Sequence, residues 1–150
     1  MTNKSVEILL VEDNPSDIEL TLYALKKFHV AERIDIVRDG VEALEYLFRT
    51  GSYASRQAED LPQLILLDLK LPKLDGLEVL RQIKANQHTH TIPVIALTSS
   101  REDTDVRESY RLGVNSYIVK PIDFDNFIEL IRRLGTYWLH HNQTPTGALG

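Results

Sequence analysis

The sequence predicts an α/β fold: a doubly wound, five-stranded parallel sheet with helices on both faces. Three observations carry that prediction. Five short apolar runs recur along the chain. Amphipathic segments of helical period lie between them. Three of the five runs are almost continuously apolar, as strands buried on both faces are.

Val6–Val11 is the first strand run. Asn14 then supplies a helix N-cap, with Pro15 at the first helical position. Ile18, Leu22 and Leu25 continue that helix at steps of four and three. Ile34–Val37 is the second strand, and Val41, Leu44, Tyr46, Leu47 and Phe48 mark the second helix. The connection from Thr50 to Pro62 is polar and long for a helix-to-strand link, where about 2–6 residues is usual. Leu64–Leu67 is the third strand. Asp75-Gly76 forms a turn into the third helix, marked by Leu77, Val79, Leu80 and Ile83. Pro93–Leu97 is the fourth strand. Val106 and Tyr110 mark the fourth helix, closed by Gly113. Ser116–Val119 is the fifth strand, and Asp123 caps the fifth helix. Strands that alternate with helices in this way make right-handed crossovers and a parallel sheet.

The fifth helix carries more apolar surface than a core stripe requires. At 100° per residue, Phe124, Phe127, Ile128, Ile131 and Trp138 share the arc expected to face the sheet. Leu130, Leu134 and Tyr137 lie toward an adjacent arc. That excess predicts a partner patch, most economically a two-fold dimer.

The length of 150 residues fits one domain, expected over residues 1–141, with a disordered tail over 142–150. The net charge of −5 disfavours an electrostatic nucleic-acid binder and a polybasic membrane anchor. The chain has no cysteine, which excludes disulfides, thiolate catalysis and cysteine-held metal clusters. No signal-peptide pattern opens it, so a cytoplasmic location is expected. His88, His90, His140 and His141 lack a cluster of further ligands and read as solvated surface residues.

Ligand sites in open parallel sheets form outside the carboxyl ends of the strands. Strand one ends in Glu12-Asp13, strand three in Asp68, strand four in Thr98 followed by Ser99 and Ser100, and strand five in Lys120-Pro121. Clustered carboxylates repel one another unless a cation sits among them. Oxygen ligands with room for water and phosphate oxygens suit Mg²⁺. Lys120 adds a compact positive charge and Thr98 a hydroxyl, so the set suits phosphoryl transfer. Asp68 is the natural acceptor, because a carboxylate can form an acyl phosphate.

As an ordered set, these pieces resemble the response-regulator receiver domains of two-component signalling. The matching residues are Glu12-Asp13, Asp68 within Leu66-Leu67-Asp68-Leu69-Lys70-Leu71-Pro72, Asp75-Gly76, Thr98 and Lys120-Pro121, over about Ser5 to Leu139. The resemblance implies a flavodoxin-like strand order 2-1-3-4-5. It implies phosphorylation on Asp68 by a histidine kinase, with output through a changed protein–protein surface. It implies Mg²⁺ held by Asp13 and Asp68, by Glu12 through water, and by the backbone carbonyl of Lys70. Thr98 and Lys120 would contact the phosphate, Tyr117 would be an aromatic switch, and the Lys120–Pro121 bond is commonly cis in such proteins.

A narrower resemblance is to the single-domain regulators of bacterial and cyanobacterial phytochromes. It rests on the Gly51–Pro62 connection, Leu97-Thr98-Ser99-Ser100, Asn115–Pro121 and Tyr137-Trp138-Leu139. It implies a phytochrome-type kinase as phosphodonor and a homodimer through the fourth helix, fifth strand and fifth helix. Tyr117, Leu130, Leu134 and Tyr137 are the candidate patch. The resemblance implies signalling rather than enzymatic turnover. Two alternatives stand beside it. One is an aspartate-nucleophile phosphatase of the haloacid dehalogenase type, weakened by Lys70 where that class has a second acid. The other is a phosphorylation-independent adaptor, although degenerate receivers usually lose acidic residues that this chain keeps.

Overall fold

The structure is a computed structural model that describes residues 6–57 and 60–145. Its strands are β1 (Ile8–Val11), β2 (Ile34–Val37), β3 (Leu64–Leu67), β4 (Val94–Thr98) and β5 (Ser116–Val119). Its helices are α1 (Pro15–Lys27), α2 (Gly40–Phe48), α3 (Gly76–Ala85), α4 (Asp103–Leu112) and α5 (Phe124–Thr136). The strands pair in parallel in the order β2-β1-β3-β4-β5.

The caps follow the sequence signals. Asn14 Oδ1 accepts the Asp17 N–H at 3.0 Å, with Pro15 at the first helical position. Asp123 does the same for Asn126 at 2.9 Å. Gly113 closes α4 at φ 105°, a left-handed conformation that glycine adopts without strain. Asp39 caps α2 by accepting the Glu42 N–H at 2.7 Å.

Alternation along each strand divides the core between the two faces of the sheet. Leu9, Val11, Ile65, Leu67, Val94 and Ala96 pack with Ala43, Leu47, Val79, Leu80 and Ile83 of α2 and α3. Ile8, Leu10, Leu64, Leu66, Ile95 and Leu97 pack with Ile18 and Leu25 of α1 and Phe127, Ile128 and Ile131 of α5. This two-sided burial accounts for the continuous apolar runs.

The long connection after α2 is organised by aromatic and charged side chains. A 3-10 turn spans Gly51–Tyr53. The Arg56 guanidinium lies 3.6 Å from the Tyr46 ring centroid and donates to the carbonyls of Tyr46 (2.6 Å) and Asp60. Tyr46 in turn donates to Asp35 at 2.6 Å, and Tyr53 to Glu42 at 2.6 Å. Arg56→Ala removes the stacked cation and the donor to Tyr46. It is expected to cost about 1–2 kcal/mol and to speed proteolysis in the connection, checked by urea midpoint and limited digestion.

The partner-patch expectation needs correction at Leu134. This residue is buried at 6% exposure, in the apolar cluster between α1 and α5. Phe124, expected to face the sheet, is instead 55% exposed. The inward arc of α5 is therefore shifted toward Leu134, because the helix also packs against α1. At Gly135, an added Cβ would lie 2.6 Å from a Val30 methyl and 3.0 Å from a Leu25 methyl. Leu130 is half-buried against the same cluster, and Tyr137 remains exposed. Tyr137 begins a π-type turn, Tyr137–His141, that prolongs α5. The expected tail begins at Asn142; its residues 146–150 lie outside the described residues. The Lys120–Pro121 bond is trans, unlike the isomer the resemblance implied.

Candidate functional site

Strand register brings the candidate residues to one edge. Val11 lies opposite Val37 on one side and Leu67 on the other. The next residues, Glu12 and Asp68, therefore leave the sheet together. Their amides still continue the ladder, from Glu12 to the Val37 carbonyl and from Asp68 to the Val11 carbonyl, both at 3.0 Å. Thr98 lies opposite Val119, and the Lys120 N–H donates to the Thr98 carbonyl at 2.8 Å.

Side-chain parity then sorts these residues. Glu12, Asp68 and Lys120 fall in step with Ile8 and Leu10, Leu64 and Leu66, and Ile118, which face α1 and α5. Their head groups meet there. Lys120 Nζ donates to Glu12 Oε1 at 2.7 Å, Asp17 Oδ2 at 2.8 Å and Asp68 Oδ2 at 3.1 Å. Glu12 is 3% exposed and Asp68 7%. Glu12, Asp13 and Asp68 each offer a carboxylate oxygen within 4.8 Å of the others, with Asp13 on the exposed side. Hard oxygen donors in this number fit a divalent ion of the Mg²⁺ or Mn²⁺ type.

The charges perturb one another. Burial pushes the Glu12 carboxyl up from its ordinary value to about 7, and nearby Asp68 adds to the rise against the pull of Lys120. Burial works against a charged Lys120, yet its bonds to Asp17 and Glu12 and the charge of Asp68 outweigh it and raise its pKa. The Glu12 shift has a consequence for stability. The unfolded chain releases this proton near 4.5, whereas the native protein holds it to about 7. The favourable contribution is thus complete below 4.5 and fades as pH rises to about 7. In metal-free protein, wild type is expected to lose more stability than Glu12→Gln between pH 4.5 and 7.5, read from urea midpoints; parallel losses would refute this.

Thr98 and Tyr117 fall on the other face, toward α4. Thr98 is fully buried, and its hydroxyl accepts the Ser100 N–H at 3.3 Å. The Tyr117 hydroxyl donates to the Ser100 carbonyl at 3.0 Å. Ser100 Oγ donates to Asp105 at 2.5 Å, and Lys70 Nζ pairs with the same Asp105 oxygen at 3.3 Å. The Asp105 pairing raises the Lys70 pKa. The Lys70 N–H donates to Asp68 Oδ1 at 3.1 Å, so its backbone lies beside the acceptor while its side chain ties to α4. Ser100 and Asp105 were not singled out in the sequence as a network. Asp17 was missed as well, although it stands four residues after Asp13 in the first turn of α1, and that spacing was its only signal. His88, His90, His140 and His141 are exposed, with His140 Nε2 2.9 Å from the Val30 carbonyl.

Comparison with known proteins agrees with the fold and gives the family. The model of the response regulator receiver domain matches residues 8–132. Response regulator Rcp1 of Synechocystis sp. is 39% identical over 96% of this chain and 96% of its own length. Its Mn²⁺-bound crystal structure superposes with a TM-score of 0.86 at 38% identity, covering 93% of this chain and 99% of that one. The phosphorylated cyanobacterial phytochrome response regulator RcpA gives a TM-score of 0.88 at 40% identity, covering 95% and 99%. The bacteriophytochrome response regulator AtBRR is 52% identical over 94% of this chain and all of its own, with a TM-score of 0.72. With the acidic cluster, the lysine and the strand order in place, this chain belongs to the response regulator receiver domain family.

Proposed function

We propose that this receiver accepts a phosphoryl group on Asp68 from the phosphohistidine of a sensor kinase, and that a phytochrome-type kinase is the donor. The observation that carries the reading is the Lys120 ammonium held against Asp68, beside Glu12 and Asp13. An Asp68 oxygen attacks phosphorus, the O–P bond forms, and the N–P bond breaks. The leaving imidazole nitrogen keeps the electron pair and takes up a proton. Glu12, Asp13, Asp68 and the Lys70 carbonyl would hold Mg²⁺, which neutralises phosphoryl charge when bound. Lys120 orients the acceptor and meets the incoming oxygens as a point charge. The Mn²⁺-bound and phosphorylated relatives support this reading.

The added group carries about −1.5 to −2 charge. Thr98 is bound to Ser100, and Ser100 to Tyr117 and Asp105, so a pull on Thr98 is transmitted to α4. Thr98 and Lys120 are the pair that meets the phosphate, and Tyr117 is the aromatic switch. Output passes through a protein surface rather than turnover of a small substrate, in a cytoplasmic protein. A homodimer over α4, β5 and α5 would use Tyr117, Leu130 and Tyr137. Among the described residues, no helix is long and apolar enough to cross a membrane.

The test mixes purified protein with phosphorylated candidate kinases and Mg²⁺, then measures label transfer and sedimenting mass. Transfer from a phytochrome-type kinase and a mass change on transfer are expected. Transfer only from unrelated kinases would remove the pathway, and rapid release of phosphate from small esters would favour a phosphatase.

A further inference from the structure

Lys120 has three ammonium hydrogens, and three carboxylates take them. Glu12 and Asp68 belong to the acidic cluster that fits a divalent ion; Asp17 does not. The three also differ in exposure. The Glu12 and Asp68 side chains are 3% and 8% exposed, whereas Asp17 is 26% exposed at the rim.

The backbone of Asp17 is fixed without help from its carboxylate. Its N–H is held by the Asn14 cap at 3.0 Å, and its carbonyl accepts the Thr21 hydroxyl at 2.7 Å. The first turn of α1 therefore delivers a carboxylate to the Lys120 ammonium from a set position. A divalent ion would draw on oxygens of Glu12 and Asp68 and a phosphoryl group would bond to Asp68, which leaves Asp17 as the partner whose bond the chemistry does not use.

We propose that Asp17 is a positioning residue that seats the Lys120 ammonium beside Asp68 while Glu12 and Asp68 engage the metal and the phosphoryl group. This rests on the reading of Asp68 as the phosphoacceptor. Asp17 touches neither phosphorus nor the acceptor oxygen and acts through Lys120.

Two measurements test it. The first is the lysine side-chain ¹H–¹⁵N spectrum of unphosphorylated protein with Mg²⁺, with Lys120 assigned by its loss in Lys120→Met. A slowly exchanging Lys120 ammonium signal is expected in wild type, lost in Asp17→Asn and in Asp17→Ser, and partly restored in Asp17→Glu. The second is the labelling rate with acetyl phosphate. Asp17→Asn is expected to slow it about tenfold, the size of one charge-assisted hydrogen bond, and to change nothing further in Lys120→Met. An unaltered ammonium signal in both the Asn and Ser variants, or an equal rate loss without the lysine, overturns the proposal. The spectrum needs no phosphorylation. A wild type that never takes label but loses the signal in Asp17→Asn would sink the phosphoacceptor reading and keep the seat.

Discussion

Asp68→Asn is expected to abolish acyl-phosphate formation while the protein stays folded. The amide is a far weaker nucleophile than the carboxylate, and no other group at the rim stands as close to the Lys120 ammonium while lying within the acidic cluster, apart from Glu12. Retained folding follows from charge. The substitution removes one of three carboxylates crowded together, and Lys120 keeps Glu12 and Asp17. The measurement is the intact mass after incubation with acetyl phosphate and Mg²⁺, alongside a urea melt. Undiminished phosphorylation of the variant would move the acceptor to another carboxylate, with Asp13 and Glu12 the first to examine.

Gly76→Ala is expected to be the most damaging small substitution near the site. A Cβ at this position would lie 2.5 Å from Leu69 Cα, 2.6 Å from the Asp68 carbonyl oxygen and 2.8 Å from the Leu69 carbonyl oxygen. All three are backbone atoms, so no rotamer change relieves the overlap. The Gly76 N–H also donates to the Leu69 carbonyl at 3.0 Å, which locks α3 against the segment that follows β3. Relief requires α3 or the Asp68–Leu69 backbone to move, at a cost of about 3 kcal/mol. Acceptor labelling should slow with it, because Asp68 lies on the displaced segment. Urea unfolding and acetyl phosphate labelling check the two effects, and a loss below about 1 kcal/mol would show that the turn yields easily. The sequence predicts a turn into α3 at Asp75-Gly76; the helix begins at Gly76, and the close approach to Leu69 explains why glycine stands there.

The sequence by itself determined the parallel sheet and most of the rim, and the family resemblance supplied the strand order that the structure shows. Short apolar runs that alternate with amphipathic helical segments read as strands between helix layers. Parallel strands with helical crossovers send every carboxyl end to the same edge. Once the strand ends were located, Glu12, Asp13, Asp68 and Lys120 had to share that edge, and the spacing of the set matched one family. Caps at Asn14, Asp123 and Gly113 were legible because they act within a few residues.

Tertiary structure decided what depends on rotation and on distant partners. Which face of the strand ends each side chain takes is set by sheet register, and it separates Glu12, Asp68 and Lys120 from Thr98 and Tyr117. Helical periodicity gives an arc but not its angle, which is why Leu134 is buried where the periodicity alone predicts a surface patch. The packing of α5 on α1 fixed that angle and buried the residue. Asp17 and Asp105 look like ordinary acidic residues in a first helical turn. Only the fold sets Asp17 against an ammonium 103 positions away and Asp105 against Ser100 and Lys70. Local propensity says nothing about such pairs, because their electrostatic energy depends on a distance that only the folded chain defines.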